Sequence, residues 1–435
     1  MIEATLKRRF INSSSWTLID YGSSQIIRFA SNLIITRLLL PEAFGLMQLV
    51  NIFLYGLEMF SDLGVNVNII QHKRGNELSF LRTAWTLQII RSSILWLLSI
   101  LLAWPFAKLY DNSQLILLIP ITCFGSLFAG FISTNFYTYH KNMQMGIVSC
   151  INIVTNLLGV IAMISCAIVW KNVWALVAAP IVSHSTKLLA SHMLPGDKMT
   201  LEWNLEIVKE LVHFGKWIFF NSIIGFLIMN LDKLVLGLFL TKEELGCYGI
   251  SAMLGMAIIQ ILYKIGHSTL LPLYAHLDQN ENRNEMRRKV MKVRFVLLLC
   301  SLPPLIILIF WAPQITAFLY PANYSQTGVM LQIVAVGAAV TAITTSMGPM
   351  FLAFGDSKKM TILMISKITI QLIMMLSGYH LFGKMGIIGS IALSEFAAYP
   401  LTAYFIHKYD MWMPKLDLPA FMLIIAAVYC TWGFH

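Results

Sequence analysis

The amino-acid sequence predicts an all-α polytopic membrane protein: two parallel six-helix lobes around a central cavity, followed by a short thirteenth span. Three observations carry that expectation. Hydrophobic residues fill 57% of the 435 positions and charged residues only 12%, about half the charge of a soluble domain, and mean hydropathy is +0.72. Apolar runs of span length recur thirteen times along the chain. Basic residues fall between these runs on alternate sides, where span orientation is set.

The runs are 16–40, 43–68, 84–107, 115–139, 144–170, 173–194, 214–240, 246–272, 290–311, 328–354, 361–382, 386–407 and a shorter 418–435. About 20 residues suffice to cross the hydrocarbon core as a helix. With the N-terminus cytoplasmic, that side carries Lys7, Arg8, Arg9, Lys73, Arg74, Arg82, Lys141, Lys198, Lys209, Lys216, Arg283, Arg287, Arg288, Lys289, Lys292, Arg294, Lys358, Lys359, Lys408 and Lys415. The opposite side carries Lys108, Lys171, Lys242 and Lys384, a split of 20 to 4. One mis-split hairpin would scramble that alternation. The formal charge of +10 therefore reads as an orientation signal, since it forms no continuous basic face for nucleic acid. No cleavable signal peptide is expected. The six cysteines lie scattered in apolar runs without C-x-x-C spacing, so neither a metal site nor a disulfide framework is expected, and no cofactor is expected either.

Over 201–212, Leu201, Leu205, Val208, Leu211 and Val212 recur at helical spacing among Glu202, Asn204, Glu206, Lys209 and Glu210. That pattern suits an amphipathic linker helix on the cytoplasmic surface, at 196–213. It separates an N-terminal lobe (1–195) from a C-terminal lobe (214–408), with 409–435 as an additional terminal span. The halves echo one another. Leu40-Pro41-Glu42-Ala43-Phe44-Gly45 is followed 201 residues later by the stretch ending Glu243-Glu244-Leu245-Gly246, and Trp16 maps to Trp217 at the same offset. Phe136, Tyr139 and Met145 match Phe351, Phe354 and Met360 at an offset of 215. Six spans is an even number, so the repeats are parallel.

Seven basic residues (Arg28, Arg37, Arg91, Lys187, Lys233, Lys264, Lys367) and five acidic ones (Asp20, Glu58, Asp62, Asp232, Glu395) lie within spans or at their ends. Each would cost about 2.5–3.5 kcal/mol facing lipid at a helix centre. A polar interior, pairing or snorkelling must account for them. Spacing favours the interior: Ser13, Thr17, Asp20, Ser24, Arg28 and Ser31 form one stripe on the first span. Gln48, Asn51, Tyr55, Glu58, Asp62 and Asn66 form another on the second. Thr122, Ser126, Gly130, Ser133 and Tyr137 do so on the fourth, and Gln260, Lys264 and His267 on the eighth. Such stripes are surface helices turned inside out. Arg37, Lys187 and Lys264 lie nearer span ends, where snorkelling competes. Asp232 and Lys233 also suit a structural pair. No P-loop, G-x-S-x-G or metal-spaced cluster occurs, and no loop is large enough for a catalytic domain, so no enzyme activity is expected.

The stretch Thr36-Arg37-Leu38-Leu39-Leu40-Pro41-Glu42-Ala43-Phe44-Gly45, followed by Asp62-Leu63-Gly64, resembles the opening of the Wzx-type polysaccharide-transport flippases. These belong to the multidrug/oligosaccharidyl-lipid/polysaccharide exporter superfamily. Asn230-Leu231-Asp232-Lys233 and Glu244-Leu245-Gly246-Cys247-Tyr248 resemble the companion motif of the second half. The resemblance implies a bacterial inner-membrane protein that moves undecaprenyl-diphosphate-linked oligosaccharide from the inner to the outer leaflet. Its partners would be that lipid-linked oligosaccharide, membrane lipids and the polysaccharide polymerase machinery. On this reading Arg28 and Arg91 bind the diphosphate, supported by Lys233, Lys264 and Lys367, because a guanidinium fork engages phosphate bidentately. Asp20, Glu58, Asp62, Asp232 and Glu395 couple an ion or pair with cations, and Tyr55, Tyr137, Asn152 and Asn156 face the sugars. Two rivals stand beside it. An ion-coupled multidrug exporter would favour an acidic, aromatic interior, and a membrane glycosyltransferase or polymerase would need a large loop with paired acids.

Overall fold

The computed structural model describes the backbone of residues 2–61 and 64–432, and the side chains of 12–61, 64–213, 219, 222–266 and 269–432. It is 87% helical with no strand among the described residues. Two compact units divide it, Met1–Phe226 and Leu227–His435.

The first unit holds α1 (Ile2–Leu38), α2 (Pro41–Met59), α3 (Val65–Gln71), α4 (Leu78–Leu109), α5 (Leu115–Gly130), α6 (Asn135–Lys141), α7 (Met145–Trp170), α8 (Trp174–Met193) and the start of α9 (Leu205–Phe239). The second continues α9 and adds α10 (Lys242–Ile265), a π turn, α11 (Leu271–Asn280), α12 (Arg283–Leu319), α13 (Gln326–Thr345), α14 (Gly348–Ala353), α15 (Ser357–His407) and α16 (Pro414–Trp432). Eight described helices are long and apolar enough to cross a membrane, or nine if the bent pair α5–α6 is one span. α15 counts once among them, yet Gly383 (φ 63°, ψ −145°) divides it into two helices. That conformation costs glycine nothing and a side chain a good deal. α1, whose run carries Asp20, Arg28 and Arg37, is too polar to be one of the eight. Each of the thirteen apolar runs nevertheless lies on a long helix, alone or with a short continuation.

Those continuations repeat between units. The run 43–68 breaks at Gly64, which takes φ 59°, and 115–139 breaks after Gly130 with a 65° bend. In the second unit the break after α10 is a π turn at Gly266–Leu270 leading into Pro272. The break after α13 leads into Gly348-Pro349. Proline lacks the N–H that an unbroken helix would use, so the ladder must shift there. In each unit the two short helices pack on one another, α3 on α6 and α11 on α14. The matched triplets at an offset of 215 fall on α6 with the start of α7, and on α14 and its C-cap Phe354 with the start of α15.

An apolar core of the second unit lies around α13, in a candidate span that is 89% buried. Its Gly328, Ala335, Gly337, Ala338 and Ala339 are small, which lets neighbouring helices approach closely, as in membrane bundles. Outward faces are apolar instead: Leu97, Leu101 and Trp104 on α4 are 58%, 71% and 60% exposed. Lipid, unlike water, imposes no penalty for that exposure.

Two expectations change. The period at 201–212 does not form a separate surface helix. The chain is non-helical through Asn204, and the helix then runs from Leu205 into α9 without interruption. One side packs on protein, with Ile207 and Leu211 fully buried in a cluster with Phe80, Leu81 and Ile69, worth about 1.5–3 kcal/mol per side chain, while Leu201, Leu205 and Val212 of that period stay exposed. Glu210 reaches Arg74 at 3.7 Å and His72 at 3.8 Å. Glu202 reaches Arg82 at 3.8 Å and accepts from Ser79. The second change concerns Arg294, counted above as a cytoplasmic loop charge. It is fully buried inside α12.

Candidate functional site

In the first unit the polar stripes of α1, α2, α5, α7 and α8 converge in two clusters. In one, Asn152 Nδ2 donates to Asp20 Oδ2 at 2.9 Å, and Lys187 Nζ donates to Asn152 Oδ1 at 2.9 Å. A side-chain amide has one donor end and one acceptor end, so it is well suited to sit between a carboxylate and an ammonium. Lys187 also lies 4.7 Å above the Phe136 ring. One turn further along α1 and α7, Asn156 Nδ2 donates to Ser24 Oγ at 3.4 Å. α1 packs on α7 along this seam.

The second cluster joins α2, α4 and α5. Ser126 Oγ donates to Glu58 Oε1 at 2.6 Å. Arg91 donates from Nη2 to the Glu58 carbonyl at 2.7 Å and from Nε to Ser61 Oγ at 3.1 Å. Tyr55, 54% exposed, interacts electrostatically with both Glu58 and Arg28. Arg28 itself is exposed. Its guanidinium makes no hydrogen bond or ion pair among the described residues, and Asp20, eight residues back, is engaged by Asn152.

In the second unit Lys367 Nζ pairs with Glu395 Oε2 at 2.8 Å. Asp232 Oδ2 accepts from Tyr248 at 2.6 Å, while Lys233 Nζ donates to the Met229 carbonyl at 3.3 Å. These sequence neighbours therefore turn to different partners and do not pair with each other. Lys264 is half-buried on α10. Tyr137 lies in α6, packed against two apolar clusters and edge-on to Phe136 at 6.1 Å. Asp62 and the side chains of His267 and Trp217 lie outside the described residues. No metal-ligand cluster occurs among the described residues.

Sequence reasoning brought Glu58, Arg91, Asp20, Asn152, Lys367 and Glu395 to the interior but did not join Lys187 to them. Its position near a span end suggested snorkelling, and only the partner helix reveals Asn152. Sequence reasoning also missed the ion pair between Arg294 and Asp417, because Arg294 was counted among the cytoplasmic orienting charges and nothing local pointed to Asp417.

A family described as polysaccharide biosynthesis protein matches residues 34–328. The chain belongs to that family. Among curated relatives, a protein of Klebsiella pneumoniae named "Uncharacterized membrane protein in cps region" is 19% identical over 80% of this chain and 72% of its own length. Lipopolysaccharide biosynthesis protein WzxC of Escherichia coli K12 is 20% identical over 80% of this chain and 71% of its own. The fold is shared with solved structures. The lipid II flippase MurJ in an inward closed conformation superposes with TM-score 0.70 at 12% identity, covering 96% of this chain and 92% of that one. An inward-facing multidrug transporter of the MATE family gives 0.65 at 15% identity, covering 93% and 95%. The family expected from residues 36–45 and 230–248 is the one these matches support.

Proposed function

We propose that this family member is a flippase that carries undecaprenyl-diphosphate-linked oligosaccharide from the inner to the outer leaflet of the bacterial inner membrane by alternating access. It would serve surface polysaccharide assembly and keep its N-terminus in the cytoplasm. One observation carries the reading: Arg28 presents an exposed guanidinium on a polar stripe, with no ion pair or hydrogen bond among the described residues. Its neighbours Arg91, Glu58 and Asp20 are already engaged. A bidentate cation held without a protein counterion suits a diphosphate headgroup. It does not suit a cationic drug.

Lys233 and Lys264 supply further positive charge in the second unit, and Lys367 ranks below them because Glu395 neutralises it. Asn156 and Tyr55 are exposed on the same stripes and are assigned to the sugars, Tyr137 less so. Asp20, Glu58 and Asp62 are assigned to ion coupling in the first unit. The relatives' names point the same way, since WzxC is named for lipopolysaccharide biosynthesis and MurJ for lipid flipping. The test is leaflet transfer in proteoliposomes containing a defined undecaprenyl-diphosphate oligosaccharide. Transfer of that lipid, and none of a cationic dye, is expected. Dye export driven by an ion gradient, without lipid transfer, would refute the reading.

A further inference from the structure

The fourth long helix of each unit breaks, and each break is capped by a side chain from the third long helix. In the first unit Gln88 Nε2 donates to Ala129 O at 3.0 Å, just before the end of α5. In the second, Arg294 Nη2 donates to Ile343 O at 3.2 Å and Nε to Ser346 Oγ at 3.0 Å, at the end of α13. The Ile343 carbonyl has lost its ordinary partner there, since Met347 N bonds Thr344 O instead. Gln88 and Arg294 both stand about three turns into their helices. They are 206 residues apart (294 minus 88), between the offsets of 201 and 215 that relate the halves. They occupy the same place in the repeat and do the same work.

The chemistry differs by one charge. Gln88 brings a neutral amide to a carbonyl that Ile132 N also reaches, at 3.4 Å. Arg294 brings a cation into a site where it is 0% exposed, and an unpaired buried charge is not tolerated. Its counterion comes from outside the six-helix repeat. Asp417, in the first turn of α16 and also 0% exposed, meets Nη2 at 2.7 Å. The other carboxylate oxygen accepts from Tyr399 at 2.9 Å, whose own oxygen accepts from Trp412 Nε1 at 3.1 Å. α16 packs on α12 and α13, with Phe421 against Tyr399 and Phe396.

We propose that α16 is an obligatory part of the second unit, docked there because Asp417 neutralises the arginine that caps the break in α13. The experiment compares thermal unfolding of the full-length chain in detergent for wild type, Arg294→Gln, Asp417→Asn and the double variant. Each single change leaves one buried charge alone, so the melting temperature falls in both. The double variant recreates the neutral cap of the first unit and regains most of the loss. Should a single variant fail to accumulate, the double variant accumulates near the wild-type level. An unchanged melting temperature in Asp417→Asn overturns the proposal, as does a double variant as impaired as the two losses combined. Either result would assign the docking to apolar contacts around Phe421.

Discussion

Lys367 Nζ and Glu395 Oε2 stand 2.8 Å apart, tying together the two halves of α15 that Gly383 separates. Both side chains are about a quarter exposed, so breaking the pair costs less than a fully buried one, at most about 3 kcal/mol. Lys367→Met or Glu395→Gln alone lowers the melting temperature, whereas the double variant stays close to wild type and retains export. Loss of export in a well-folded double variant would return Lys367 to the cargo site.

Arg28 is expected to bind cargo phosphate. Arg28→Ala abolishes complementation of a flippase-deficient strain, and Arg28→Lys retains only part, because an ammonium binds as a point charge without the fork. Immunoblots of the membrane fraction must show normal levels. Full glycan export by Arg28→Ala would remove the residue from the site.

Asn152 holds Asp20 and Lys187 one amide apart. Asn152→Leu keeps the branched side-chain shape and deletes both hydrogen bonds to charged groups, each worth about 1.5–3 kcal/mol. The expected result is a lower melting temperature and slower transport. Combining it with Asp20→Asn and Lys187→Met recovers stability but not transport. Normal transport in the triple variant would make the cluster purely structural.

At the start of α15, the Lys359 ammonium, the Tyr409 hydroxyl and the Lys359 backbone N–H hold the Asp356 carboxyl well below the usual carboxylate range. The folded value lies below the unfolded one, so its contribution is complete above about pH 4 and disappears as pH falls through the folded value. The difference in melting temperature between wild type and Asp356→Asn should therefore stay constant from about pH 8 to 5 and shrink in stronger acid. A difference that vanishes between pH 7 and 5 would contradict this.

The charge alternation predicts that the loops 72–83, 196–213 and 278–289 are cytoplasmic and that 313–327 is outside. Single cysteines at Arg283 and Asn323, in an otherwise cysteine-free chain, are to be labelled with a membrane-impermeant reagent in intact cells. Labelling at 323 alone is expected. Labelling at 283 alone would invert the orientation.

The all-helical class and the twofold echo were legible in the chain itself, because a span must satisfy its own backbone and therefore announces itself as a continuous apolar run. Polar stripes were legible too, since helical spacing tells which residues share a face. Which charges meet was decided only by the tertiary structure. Asp20 finds Asn152 across 132 residues and Arg294 finds Asp417 across 123, and no local pattern encodes such a partner. The same limit misplaced Arg294 among loop charges and left Lys187 to snorkelling. The period of 201–212 marked an amphipathic stretch, and its Leu201, Leu205 and Val212 stay exposed, but the burial of Leu211 with Ile207 depended on Phe80, Leu81 and Ile69 arriving from elsewhere in the chain. Periodicity fixes the direction in which a side chain points from its helix, and only packing determines what stands there to receive it.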